Sequence, residues 1–273
     1  MKYCSIPKTG ERISRLGFSL RGLADLPSCE QKRIVQASIE AGVNILDIMP
    51  GHESSCDGFK QVVRSMRERL MIQTHFGSAL DSAMPITCQA RFRLTEKHLR
   101  YQLGSLGLGY VDFAVIGCGH DVEIDEVIHG GLLDYAVRQR DAGLIRYLAF
   151  STDSSDSARK YMQTDAFDWA MIPIDVVLRT CNDKMLGGAG KINPFLEELS
   201  ERRIGFAICD LGCGAKYART SNMPDCHAQV KDMQQAMRIP GARTIYPEVH
   251  SFDDALQIIE SFESASEGLE RAA

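Results

Sequence analysis

Long apolar runs are missing from this 273-residue chain. No stretch reaches the roughly 18–20 residues that a membrane-crossing helix needs, so a bilayer partner is not expected. A basic cluster is missing as well. The formal net charge is −5 and the sequence pI is about 5.8. Phosphate backbones are held by concentrated cationic surface, so nucleic acid is excluded as a main partner. The opening MKYCSIPKTGERIS lacks the apolar core of a secretory leader, and none is expected. No Cys-x-x-Cys pair occurs among the nine scattered cysteines. The closest spacing is Cys209 with Cys213, and Cys226 stands beside His227. An odd, dispersed set suits a reduced, cytoplasmic chain better than a disulfide framework or a cysteine-built metal cluster. Linkers, repeats and low-complexity stretches are also absent, which predicts one domain over residues 1–273.

What is present is an ordinary globular composition, 44% hydrophobic and 25% charged, arranged in a regular alternation. ISRLGFS (13–19), VNILDIM (43–49), RLMIQTHF (69–76) and YVDFAVIG (110–117) read as strands. So do IRYLAFST (145–152), FDWAMIPI (167–174), RIGFAICDLG (203–212) and ARTIYPEV (242–249). Between them apolar residues recur at helical spacing, as in Phe59, Val62, Val63 and Met66. Ser28 and Gln31 have the spacing of a capping box, and Asn193 before Pro194 suggests a capped helix start. Further helices are expected over 133–140, 157–164, 231–237 and 252–262. Eight β and α units in sequence predict a parallel sheet closed into a (β/α)8 barrel.

Several stretches, in order along nearly the whole chain, resemble the aldo-keto reductase family. They are KYCSIPKTGERISRLGFS, EAGVNILD, LGLGYVDFAVIG, GLIRYLAFST and ARTIYPEVHS. The resemblance implies that family's (β/α)8 barrel with a short N-terminal β-hairpin. It also implies NAD(P)H-dependent carbonyl reduction through an Asp, Tyr, Lys and His tetrad. Asp47 matches the Asp. His52 stands at the Tyr position, His75 at the Lys position and Gly117 at the His position. At the implied cofactor positions Ser151, Gly212, Gly214 and Ser251 remain, whereas Met171 and His250 replace a common Gln and Arg. This pattern predicts that standard NADPH hydride transfer is lost.

Asp47, His52 and His75 are expected to converge at the C-terminal mouth, where such barrels carry chemistry. A carboxylate beside an imidazole fixes its tautomer, and two imidazoles can divide acid and base roles. That suits lyase, isomerase or cyclase chemistry on a small oxygenated metabolite. The same trio, with Cys118 and His120 as further candidates, is a ligand set for a divalent metal. Two alternatives stand beside this reading. One is a divergent NAD(P)H-dependent oxidoreductase with His52 as proton donor. The other is a non-catalytic barrel that binds a metabolite or a protein. The bland reading of each residue is plain: Asp47 pairing with a histidine for stability, His52, Cys118 and His120 as loop residues, Cys226–His227 as loop, and Cys209 as core filler. Loops 21–28, 120–131, 178–191 and 216–227 carry no signature that names a substrate, and nothing indicates the oligomeric state.

Overall fold

A computed structural model describes residues 1–48, 57–76, 99–117, 124–152, 154–180, 194–212 and 226–272. Strands β1 (Tyr3–Ser5) and β2 (Arg12–Ser14) form an antiparallel hairpin. Eight further strands follow: β3 (Phe18–Ser19), β4 (Ile45–Ile48), β5 (Met71–Phe76), β6 (Val111–Gly117), β7 (Ile145–Ser151), β8 (Trp169–Pro173), β9 (Gly205–Cys209) and β10 (Ala242–Ile245). Each pairs in parallel with its neighbours in chain order. Bridges Leu16–Ile245 and Ser19–Glu248 join the first strand to the last, and the Gly17 N–H donates to the Ile245 carbonyl at 3.0 Å. The sheet therefore closes as a barrel, as the alternation predicted.

The helices are α1 (Ser28–Glu40), α2 (Asp57–Ser65), α3 (residues 99–106), α4 (Ile124–His129), α5 (Leu132–Asp141), α6 (Ser155–Gln163), α7 (Ile174–Thr180), α8 (Pro194–Glu201), α9 (Cys226–Ala236) and α10 (Phe252–Ala272). None among the described residues is long and apolar enough to cross a membrane. Some local expectations need correction. The run 13–19 divides between β2 and β3, and beside β3 the Tyr246 ring leaves Gly17 no room for a side chain. The capping box does not form. Pro27 holds the cap position with no side-chain bond, and Gln31 instead donates to the Leu23 and Leu26 carbonyls and accepts from the Gly58 N–H. Cys226 and His227 open α9 rather than lying in a loop, α4 occupies a stretch read as loop, and α7 runs from the end of the expected strand 167–174 into the start of the loop read from 178. Pro194 begins α8 as expected, while Asn193 lies outside the described residues.

Strand alternation sorts the side chains into two sets. Ile72, Ala114, Leu148, Ala170 and Ile208 face outward and join the shell between sheet and helices. Met71, Phe113, Tyr147, Trp169, Met171 and Tyr246 belong to the lumen cluster. Trp169, Phe113 and Tyr246 are almost wholly buried, and each such side chain contributes roughly 1.5–3 kcal/mol through apolar burial. The hairpin closes the N-terminal end by inserting Ile6 and Ile13 into the same cluster. Its Glu11 accepts short hydrogen bonds from Arg146 and Tyr147, and the Tyr147 hydroxyl also meets Thr9 Oγ1 at 3.0 Å. Asp112, on the outward face of β6, braces that end by pairing with Arg67 at 2.7 Å and Arg146 at 2.9 Å. With the floor sealed, the strands' C-terminal ends, at the mouth, are left as the place for chemistry.

Candidate active site

The last residues of the parallel strands define that mouth. Asp47 lies near the end of β4 and is 2% exposed. His75 is near the end of β5 and 7% exposed. Register places Asp47 beside Gln73 on the next strand, one lumen-facing step below His75. The two side chains meet: His75 Nε2 lies 2.6 Å from Asp47 Oδ1. Gln73 Nε2 donates to the same carboxylate oxygen at 2.8 Å and contacts Met171 Sδ at 2.9 Å. The Tyr246 hydroxyl donates to Gln73 Oε1 at 3.3 Å. That phenol is held well above its ordinary pKa by burial, then by the nearby Asp47 and Cys209, so it stays a donor.

The chain of bonds dictates a tautomer. Tyr246 fixes the Gln73 amide with its NH2 toward Asp47. Asp47 accepts, so the Nε2 atom of His75 carries its proton toward the carboxylate. Nδ1 is then the ring nitrogen left for a ligand. An Asp-held imidazole of this kind can take a proton and keep the resulting cation next to a fixed anion.

A second group of ionisable residues continues around the rim. Asp210 follows β9, Glu248 follows β10, and Arg21 lies in a 3-10 turn, Arg21–Leu23, after β3. Arg21 reaches Glu248 at 3.7 Å, and His250 Nε2 lies 3.6 Å from the other Glu248 oxygen. Asp210 is strained at φ 57° and its carboxyl is pushed up to about 6. Burial is the main cause, followed by Glu248, with Arg21 opposing and Asp175 and Asp47 adding to it.

The remaining expected residues are placed as follows. Ser151 ends β7, half-buried, in register with Gly117 and Met171. Gly212 has φ 74°, and its N–H donates to the Asp232 carboxylate at 2.8 Å. Ser251 Oγ accepts from the Asp254 N–H at 3.1 Å and so caps α10. His52, Cys118, His120 and Gly214 lie outside the described residues. Among the described residues no group of three or more His, Cys, Asp or Glu side chains is disposed to hold a metal ion. Sequence reasoning missed Gln73, Tyr246, Asp210 and Glu248. The signal for Gln73 was available: in MIQTHF, Met71, Gln73 and His75 share one strand face, so a polar residue points into the lumen.

No family model matches the sequence, and no curated protein matches it. Solved structures do match in fold. A protein assigned as an aldo-keto reductase from Pseudomonas aeruginosa superposes with TM-score 0.73 at 13% identity, covering 96% of this chain and 94% of that one. A second structure so assigned from that organism gives 0.71 at 13% identity with coverage of 96% and 94%. The aldo-keto reductase AKR11C1 from Bacillus halodurans, in its holo form, gives 0.66 at 15% identity with coverage of 96% and 91%. The chain therefore has the aldo-keto reductase barrel fold, as the sequence resemblance implied.

Proposed function

We propose that this barrel is an enzyme performing acid–base chemistry, of lyase, isomerase or cyclase type, on a small oxygenated metabolite. The carrying observation is the buried Asp47–His75 pair at 2.6 Å, oriented by Gln73. Such a pair suits removal of a proton from a carbon next to a carbonyl. His75 Nδ1 takes the proton, the C–H electrons move into an enolate, and Asp47 steadies the imidazolium. His52 is the candidate for delivering a proton to the enolate oxygen. A divalent ion at Asp47, His52 and His75 would instead polarise that carbonyl as a Lewis acid.

The fold implies a nicotinamide nucleotide, and the described residues fit one poorly. The Gly212 amide, expected to face a pyrophosphate, is taken by the Asp232 carboxylate. Ser251 Oγ accepts from the Asp254 N–H in the α10 cap, and Asp253 and Asp254 stand in the first turn of that helix. Glu248 stands beside His250, where a phosphate-gripping cation was implied. Anionic phosphates meet carboxylates there. A second reading, NAD(P)H-dependent carbonyl reduction with His52 as proton donor, is favoured by the likeness of fold.

Proton NMR in D2O with a panel of hydroxyketones and 2-oxo acids separates the readings. The acid–base reading expects catalysed loss of an α-proton signal without nucleotide, abolished in His75→Ala. Exchange that survives in His75→Ala, or turnover of the same panel only with NADPH, refutes it.

A further inference from the structure

We propose that a cavity at the sealed end of the barrel, between α8 and the start of β10, binds an α-amino acid with an apolar side chain. This site stands apart from the acid–base reading, since His75 lies near the other end of the strands.

The cavity holds about 300 Å3, near the lower end of the range for small-molecule sites. Here α8 turns directly into β9, and Phe206 of β9 is in register with Ala242 of β10. The helix, the turn and the approach to β10 therefore border one space. Its apolar lining is Leu196, Ile204 and Phe206, which are 3%, 5% and 3% exposed. Gly241 borders the Phe206 ring and carries no side chain to cover it. It sits at φ 82°, a conformation that favours glycine, and a methyl group there would lie 3.3 Å from Phe206 Cε1.

Four charged residues line the same cavity: Glu197, Glu201, Arg203 and Arg243. The two glutamates are four residues apart on α8 and so share one helix face. Arg203 donates from Nη2 to the Pro7 carbonyl at 2.8 Å, which fixes its guanidinium at the cavity. It does so at φ 57°, the left-handed backbone where glycine is the usual residue after a helix. Arg243 is half-buried, and its guanidinium makes no hydrogen bond or ion pair among the described residues. No arginine of the four pairs with a glutamate across the cavity. A ligand-sized space thus holds a partly desolvated cation that the chain itself leaves without an anion.

An α-amino acid presents a carboxylate and an ammonium on one carbon. The planar guanidinium fork matches a carboxylate, and the three donors of an ammonium suit the glutamates. The apolar side chain is left for Phe206 and its neighbours. The four charges sum to zero, which favours a zwitterion over either kind of ion alone. Phosphate would meet Glu197 and Glu201, and a simple amine or metal cation would meet the two arginines.

The test is calorimetric titration of the full chain at pH 7.5 with L-leucine. The comparison probes are 4-methylpentanoate, which lacks the ammonium, 3-methylbutylammonium, which lacks the carboxylate, and inorganic phosphate. The expected result is saturable binding of leucine at millimolar concentration or below, with each other probe at least tenfold weaker. Leucine binding should weaken about tenfold or more in Arg243→Gln and in Glu201→Gln, the second being an exposed site where the exchange leaves the fold intact. His75→Ala should bind leucine as the wild type does, so failure of the acid–base reading and failure of this one are distinct. No saturable leucine binding, equal or tighter binding of any comparison probe, undiminished binding in both charge variants, or loss of binding in His75→Ala overturns the proposal.

Discussion

Exchanging Gln73 for glutamate keeps the side chain's shape and turns the Nε2 donor into an oxygen. That atom lies 2.8 Å from Asp47 Oδ1, and Gln73 and Asp47 are 0% and 2% exposed. Two carboxylates at that separation cannot both be ionised, so they share a proton. A folded-state pKa raised by about two units corresponds to ~2.7 kcal/mol. The sign follows from linkage. In the unfolded chain the new glutamate titrates near its ordinary value of about 4.3. Below that value it is protonated in both states, its O–H can donate to Asp47 as the amide did, and the variant matches the wild type. As pH rises through the raised folded value, the unfolded state loses its proton first and the variant falls behind. Urea unfolding of both proteins should show a small gap near pH 4, widening to its full size by about pH 7. A gap as wide at pH 4 as at pH 8, or none at pH 8, would refute the hydrogen-bonded placement of Gln73 against Asp47.

Asp210→Asn should stabilise the protein above about pH 6 and not below its ordinary 3.8, because its folded carboxyl is raised to about 6 and its ionisation opposes folding. Thermal melts across that range read the effect. Glu11 is the opposite case. Burial works against its charge, but hydrogen bonds from Tyr147 and Arg146 outweigh this and hold it below its ordinary 4.5. Its stabilisation is present above that value and lost as pH falls through the lower folded one. Because this pair is well exposed to solvent, which screens it, Glu11→Gln should cost only about 0.5–1 kcal/mol at pH 7 in urea unfolding, shrinking in acid. Gly17→Ala should cost about 1–3 kcal/mol by overpacking, since the added methyl would meet the Tyr246 ring at 2.5 Å and Ile45 Cγ2 at 2.9 Å.

The barrel was legible because its signals are local and repeated. Buried parallel strands read as short apolar runs, helices read as three- and four-residue spacing, and the order of the two repeats eight times. The capping box failed because a side chain within the motif found better partners. Gln31 reaches carbonyls on its own approach segment and an amide of α2, contacts that no local spacing encodes. Asp47 with His75 could be anticipated because both sit on strands whose register follows from the fold. The Tyr246–Gln73 support could not, because it spans 173 positions of sequence between β10 and β5. The acidic rim was hidden for a related reason. Asp210, Glu248 and Arg21 are unremarkable alone, and only barrel closure brings β9, β10 and β3 together. His52, the residue that first sets this chain apart from the family it resembles, lies in a segment outside the described residues, so its role rests on experiment.

The most direct test of the central claim is a fluorescence titration of the purified protein with NADPH and NADH, with metal content measured on the same sample. The account predicts no saturable nucleotide binding up to millimolar concentration, because the Gly212 amide is already bound to Asp232 and Asp253 and Asp254 stand in the first turn of α10. Micromolar binding of either nucleotide would contradict it and put hydride transfer back at this mouth.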